Sequence, residues 1–427
     1  MLALETPKVD WLKIKIENGT VSSNATEESK HFEKMLLEQL RLSGTVKDGS
    51  FGLERKPEFG YRGFMLDTVR HFYPMESVKR LIKLVALFGG NIFHWHLTDD
   101  QGWRFLVPGY EEECRHASMR RDTDYKGREY GGYYTDEEIK DTVEYAASLG
   151  VEIVPEIETP GHATAIVSAM PQIGCTGKNI EVETTYGIFE DILNPSRSET
   201  FTFLEAAIRK LASLFPGRFI HVGGDECPHT QWKESAEIQR FMKENGLRNE
   251  DELQGWMTSR VSEIVIRCGK RPIAWDEALD APNIPKSLVI MNWHDEESAK
   301  EALRRGHEVI MCPEKGAYLD RYPQKGENEC GNLSISTVKD SYLAKIVPDG
   351  VTNDQRALIL GAQANLWCEL ISRERMAELM IFPRLIAFFE ALENYSGRDW
   401  EEFKARKRDI QILLSDLGIA FYPGDWE

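Results

Sequence analysis

Beyond Pro57 the chain repeats one pattern: a short apolar run, a loop rich in polar and aromatic residues, then an amphipathic helix. The apolar runs fall at residues 64–66, 92–97, 151–157, 219–222, 272–275, 288–293, 308–311 and 359–362. Helical periodicity follows several of them, at 76–88, 136–149, 199–215, 251–268, 296–305 and 373–392, and returns at 400–417. A short apolar run can be a strand or a piece of buried helix, so the inference rests on count and order. Strands alternating with helices predict a parallel sheet. Eight such units predict an α/β fold of the closed (β/α)8 TIM-barrel type, with 400–417 as a final helix covering it.

Residues 1–57 read differently. After Trp11, Leu12, Ile14 and Ile16 alternate with charge, which predicts a short strand over 9–16. Over 29–42, Phe32, Met35, Leu36 and Leu40 share one side of a helix, and a glycine-rich turn leads on to Pro57. The expected organisation is a short N-terminal strand-helix segment, 1–57, and a barrel over 58–427.

Composition narrows the class. A chain of 427 residues that is 41% hydrophobic and 29% charged is ordinary for a globular protein with one large core. The net charge of −18, with no block of Lys and Arg, argues against nucleic acid or an anionic membrane as partner. No stretch approaches the roughly 18–20 uncharged apolar residues of a membrane span. The first ten residues carry no basic start and no apolar core of a secretory signal, and the seven cysteines are scattered with no CxxC pair. Both features point to a cytoplasmic protein with free thiols. Oligomeric state is not legible.

The C-terminal ends of barrel strands form the active face, and here they are crowded with groups that a core excludes. They carry Asp67 and Arg70-His71; His94-Trp95-His96 with Asp99-Asp100; Glu156, Glu158 and His162; Asp225-Glu226; Trp275-Asp276-Glu277; Trp293-His294-Asp295; and Trp367-Cys368-Glu369. Indole faces stack on the apolar faces of sugar rings, while carboxylates and arginine bond their hydroxyls. Cleaving a glycosidic bond needs an acid for the leaving oxygen and something to stabilise an oxocarbenium-like centre. Asp225 and Glu226 are adjacent. Neighbours on a strand point to opposite faces, so both can enter one pocket only where the strand has ended, and Gly223-Gly224 permits that irregular backbone. Two other readings compete. His94 and His96, with His162, His221 and an Asp, could hold the metal of a metal-dependent hydrolase, but this leaves the tryptophans unexplained. A sugar-binding protein without activity would have no need of the carboxylate pair. Cys227 and Cys368 read as spacers.

At these residues the sequence resembles glycoside hydrolase family 20, the β-N-acetylhexosaminidases. The matching stretches are Arg62-Gly63-Phe64-Met65-Leu66-Asp67 with Arg70-His71-Phe72, and Phe93-His94-Trp95-His96-Leu97-Thr98-Asp99-Asp100-Gln101-Gly102-Trp103-Arg104. Pro155-Glu156-Ile157, Pro160-Gly161-His162 and His221-Val222-Gly223-Gly224-Asp225-Glu226 continue them, so the similarity spans about residues 61–392. The resemblance implies a retaining exo-acting enzyme on glycans ending in β-linked GlcNAc or GalNAc, with no metal and no cofactor. It implies that Glu226 is the general acid and then base, and that Asp225 orients the substrate acetamido group, whose oxygen is the nucleophile. It further implies that Tyr318 bonds that oxygen and that Trp275, Trp293 and Trp367 wall the sugar. Arg70, Asp320 and Glu369 would bind the outer hydroxyls, and Asp99 and His162 would form a supporting pair near the acid. The Asp225 carboxylate is expected to raise the pKa of Glu226. The family usually carries a larger α/β domain ahead of its barrel than the 57 residues found here.

Overall fold

The computed structural model describes residues 12–17, 20–23, 51–55, 57–122, 127–282, 284–324 and 332–427. Eight parallel strands close into a barrel: β1 (Tyr61–Asp67), β2 (Ile92–His96), β3 (Glu152–Glu156), β4 (Phe219–His221), β5 (Arg271–Trp275), β6 (Val289–Asn292), β7 (Val309–Met311) and β8 (Ile359–Leu366). Each expected apolar run overlaps one of them, and β1, β5 and β8 extend beyond theirs. Side chains alternate along a strand, and the alternation divides the core in two. Ile92, Phe219, Ile273, Val289, Met291 and Ile310 pack together inside the barrel. Phe64, Leu66, Phe93, Trp95 and Ile290 belong to the layer between strands and helices. The same two-residue step turns His94, His96, His221 and Trp275 inward above the apolar floor.

The outer ring includes α1 (Met75–Leu87), α2 (Asp136–Ser148), α3 (Ser198–Leu214), α4 (Glu250–Arg267) and α5 (Glu296–Arg305). Thr135 starts α2 with a capping box shared with Glu138, and Asn249 caps α4 through Glu252 N. The helix expected over 373–392 is two helices, α6 (Glu374–Ile381) and α7 (Arg384–Glu393). Pro383 lies between them: it has no N–H, and its ring clashes with the preceding turn. The helix expected over 400–417 is also divided, into α8 (Trp400–Ala405) and α9 (Lys407–Asp416). At the junction Arg406 leaves helical geometry (φ −84°, ψ 6°) and its guanidinium pairs with Glu390. Among the described residues no helix is long and apolar enough to cross a membrane.

Ahead of the barrel, strands Leu12–Glu17, Thr20–Ser23 and Phe51–Arg55 form an antiparallel sheet with Leu12–Glu17 in the middle. The expected strand thus runs over 12–17. The helix expected over 29–42 lies outside the described residues.

Candidate active site

A cavity of about 430 Å³ opens at the C-terminal ends of the strands. Nine residues singled out in the sequence line it: Arg70, Asp225, Glu226, Trp275, Trp293, Tyr318, Asp320, Trp367 and Glu369. Asp99 and His162 do not; they stand behind Arg70 and Glu226.

The local sequence explains how the two adjacent carboxylates enter together. β4 ends at His221, and Gly223 and Gly224 then take φ of +71° and +109°. A Cβ at Gly223 would lie 1.8 Å from Glu158 Oε2, so no other residue fits there. Glu226 itself has φ +47°, unusual for a residue with a side chain and costing on the order of 1–3 kcal/mol. The turn is held from outside: Gln254 Nε2 donates to Gly224 O at 2.7 Å, and Glu226 N donates to Glu277 Oε1 at 3.3 Å. Glu277 Oε2 also accepts from Trp293 Nε1 at 3.3 Å, so one carboxyl group supports both the pair and a wall of the cavity.

Charges around the pair are arranged in a chain. Arg70 Nη1 meets Asp67 Oδ2 at 3.1 Å, Arg70 Nη2 meets Asp99 Oδ2 at 2.9 Å, and Arg70 Nε donates to Gln101 Oε1 at 3.1 Å. His162 Nδ1 lies 2.9 Å from Asp100 Oδ2 and 3.2 Å from Asp99 Oδ1. Its Nε2 lies 3.5 Å from Glu226 Oε2 and 3.7 Å from Asp225 Oδ2. Burial alone would lower the His162 pKa, but the carboxylates of Asp99, Asp100 and Glu226 raise it well above its ordinary value, so it is a cation. The expected Asp99–His162 pair therefore exists, with Asp100 as a second partner.

This cation corrects the expectation for Glu226. Contact with His162 holds the Glu226 carboxyl below its ordinary pKa despite partial burial, and Asp225 does not reverse that. Asp225 is the member pushed up, by burial first and then by Glu156, Glu226 and Asp99, against the pull of His162. Glu158, buried with neither oxygen hydrogen-bonded, is raised well above the carboxylate range by burial and by Asp225 and Glu156.

Below the cavity Glu156 is a hub. Its oxygens meet Trp275 Nε1 at 3.0 Å and His96 Nδ1 in hydrogen bonds, and lie 2.8 Å from His221 Nδ1 and 3.1 Å from His94 Nε2. His94 and His96 do share a face, as their spacing predicts. They are already engaged, however: His94 Nδ1 also meets Gln363 Nε2 at 3.0 Å, and His96 Nε2 meets Asp99 Oδ2 at 2.8 Å. Burial pushes His94 down to about 4, so it is neutral. His96 is carried up to about 10, its burial outweighed by Glu156 and Asp99. His94, Glu156 and His221 come close enough together to hold an ion below the cavity, and so do His162, Asp225 and Glu226, of which the two carboxylates line it.

On the walls, the Trp275 and Trp367 rings stand 6.0 Å apart, Trp293 and Tyr318 6.2 Å, and Arg70 lies over Trp367 at 5.1 Å. Asp320 is pushed up to about 7 by burial, with Arg321 opposing and Glu369 adding. Its Oδ1 is buried without a hydrogen-bond partner, an acceptor awaiting a donor.

Several participants were not singled out in the sequence. Tyr186, Gly187, Ile188, Arg321 and Leu370 also line the cavity. Two fully buried arginines clamp its loops through backbone carbonyls. Arg104 donates to Thr68 O and Val69 O, next to Arg70, and to Ser118 O and Gly132 O. Arg384 donates to Leu319 O, Arg321 O and Ser336 O, fixing the segment that carries Tyr318 and Asp320. Arg104 stands within a matched motif, which was a signal; Arg384 reads only as an ordinary helical arginine.

Residues 59–393 match the family model for glycosyl hydrolase family 20, catalytic domain. The chain is 36% identical over 375 residues to a beta-hexosaminidase of Porphyromonas gingivalis, covering 87% of this chain and 48% of that protein. It is 35% identical over 342 residues to the beta-hexosaminidase of Vibrio furnissii, covering 78% and 56%. The chain thus spans about half the length of these curated relatives. Among solved structures it is similar to the GH20 exo beta-N-acetylglucosaminidase of Vibrio harveyi in complex with N-acetylglucosamine. There the TM-score is 0.87 at 31% identity, over 97% of this chain and 68% of that one.

Proposed function

Because the chain belongs to glycosyl hydrolase family 20, we propose that it is a retaining exo-β-N-acetylhexosaminidase that releases terminal β-linked GlcNAc or GalNAc from glycans. The carrying observation is the adjacent pair Asp225 and Glu226 inside an indole-walled cavity of about 430 Å³, room for one sugar. Glu226 gives its proton to the glycosidic oxygen as the bond to C1 breaks. The substrate's acetamido oxygen closes on C1 to form an oxazolinium, and Asp225 takes the acetamido N–H and faces the positive charge that develops. Water then opens the ring from the same side as the departed group, giving its proton back to Glu226. Proximity makes the internal nucleophile effective, so no protein nucleophile is required. Tyr318 bonds the acetamido oxygen, while Arg70, Asp320 and Glu369 bind the outer hydroxyls.

The test is turnover of an aryl β-GlcNAc glycoside beside the matching β-glucoside, with and without a thiazoline mimic of the oxazolinium. Only the first should be cleaved, and the mimic should inhibit. Equal turnover of both sugars, or indifference to the mimic, would sink the proposal.

The charge arrangement also sets a pH dependence. The reactive form has Glu226 protonated and Asp225 ionised, so kcat/KM falls as pH rises through the Glu226 pKa and falls again as Asp225 takes a proton. His162⁺ favours the Glu226 carboxylate and pulls the upper limb down. In His162→Gln the cation that lowers both carboxyl groups is gone: the Glu226 pKa rises and the upper limb moves to higher pH, while the Asp225 pKa rises as well and carries the lower limb in the same direction. A kcat/KM–pH profile whose upper limb stays in place would show that His162 does not govern this proton.

A further inference from the structure

We infer that Gln254 is a positioning residue for the reaction: its amide staples the two ends of the loop 224–229 and so aims the Asp225 carboxylate. The inference rests on the hexosaminidase reading and gives a part in it to a residue that does not line the cavity. Side-chain contacts alone leave Asp225 weakly directed. Its Oδ1 is buried without a hydrogen-bond partner, and its Oδ2 lies 3.7 Å from His162 Nε2, longer than a hydrogen bond. Its direction therefore comes from the backbone. The peptide group before it begins at Gly224, which has no Cβ to restrict rotation. The carbonyl oxygen of that peptide is the atom that Gln254 Nε2 holds at 2.7 Å.

The orientation of the staple is determined. A carbonyl oxygen only accepts, so the amide turns its NH2 toward Gly224 and its Oε1 toward His229. His229 Nε2, at 2.9 Å from that oxygen, then carries a hydrogen and donates it. His229 is seated on Trp232, the rings 5.2 Å apart and 9° from parallel, and its Nδ1 lies 3.5 Å from Asp251 Oδ1. Trp232 is fully buried and donates from Nε1 to Leu193 O at 3.0 Å. Gln254 itself is buried on α4, and its neighbour Gly255 fixes how closely that helix packs: a Cβ there would lie 2.0 Å from Ala281 Cβ. Ala281 ends the turn Asp276–Asp280, which carries Glu277. Glu277 accepts from Glu226 N on the other side of Asp225. The two residues flanking Asp225 are thus held by elements packed against each other, one through Gly224 O and one through Glu226 N. A buried amide on a helix is ordinary; one that bridges both ends of the loop bearing the two carboxylates sets their backbone.

The experiment compares Gln254→Met, His229→Leu and His229→Gln with the wild type on a series of aryl β-GlcNAc glycosides, with a thiazoline mimic of the oxazolinium as inhibitor. Methionine keeps the length and adds no charge but cannot donate to Gly224 O. Gln254→Met should lose about 10–100-fold in kcat/KM, the scale of a small misplacement of a reacting group. The thiazoline inhibition constant should weaken in proportion. The dependence on leaving-group pKa should stay that of the wild type, because aim rather than proton delivery is lost. A merely structural fault would reduce the amount of active enzyme and leave the inhibition constant where it was. His229→Leu, at a partly buried loop position, should move both readouts the same way by a smaller factor. His229→Gln, which can still donate to Gln254 Oε1, should restore them. An unchanged thiazoline constant in Gln254→Met, or in His229→Leu should Gln254→Met not fold, overturns the staple and leaves the hexosaminidase reading standing; so does a steeper leaving-group dependence. A wild type that cleaves no aryl β-GlcNAc glycoside would remove that reading and the staple with it.

Discussion

Exchanging Glu226 for Gln is expected to lower kcat/KM for a methyl β-GlcNAc glycoside by about 10³–10⁴-fold, near the upper range for one general acid. A dinitrophenyl glycoside should suffer far less. Its leaving group departs as a stable anion and needs no proton, whereas an alkoxide cannot leave without one. The amide matches the carboxyl in shape and can keep the seat between His162 and the Glu277-held turn, so the loss reports proton delivery rather than collapse of the loop. The check is a leaving-group series: log(kcat/KM) should depend more steeply on leaving-group pKa in the variant than in the wild type. A uniform loss along the series would count against an acid role. Water attack on the intermediate also slows, because the amide cannot act as base, so the best leaving groups should show a burst followed by slow turnover.

The second large effect is expected at Asp225→Asn. In the proposed mechanism its carboxylate faces the charge that develops on the acetamido group, and removing one such preorganised partner costs about 10²–10³-fold, or roughly 3–4 kcal/mol. Unlike the Glu226 variant, this one should lose rate on every leaving group alike, since the internal nucleophile is misdirected whatever departs. Thiazoline affinity should fall in parallel, because the mimic carries the ring that the proposed mechanism sets against Asp225. Full thiazoline affinity in Asp225→Asn would detach this residue from the acetamido group. The two variants therefore separate the roles of two neighbours in the chain: one is read by its dependence on the leaving group, the other by its indifference to it.

What could be read from the chain was whatever depends on local order. The eight strands were legible because a buried parallel strand is a short apolar run between turns. The two-residue step then put His94, His96 and Trp275 on inward faces. The carboxylate pair was legible because two glycines precede it where a strand must end. Proline chemistry was equally local, and Pro383 marks the break between α6 and α7 that periodicity alone bridged.

Through-space terms were not legible. Motif order brings His162 and Glu226 to neighbouring strand ends, but the sign of the Glu226 shift depends on which charge stands nearer. His162 at 3.5 Å, held cationic by Asp99 and Asp100, outweighs the adjacent Asp225. Arg384 holds Tyr318 and Asp320 from another helix, and no pattern along the chain announces that contact. Ile188 and Leu370 look like any aliphatic residues in a loop until the fold carries both to the mouth of one cavity. The sequence by itself determined the barrel, its active face and the kind of group gathered there, because periodicity and backbone chemistry act between near neighbours. Tertiary structure alone decided which way each carboxyl's pKa moves, which arginines steady the loops and what stands at the entrance, because electrostatics and burial depend on distance in space.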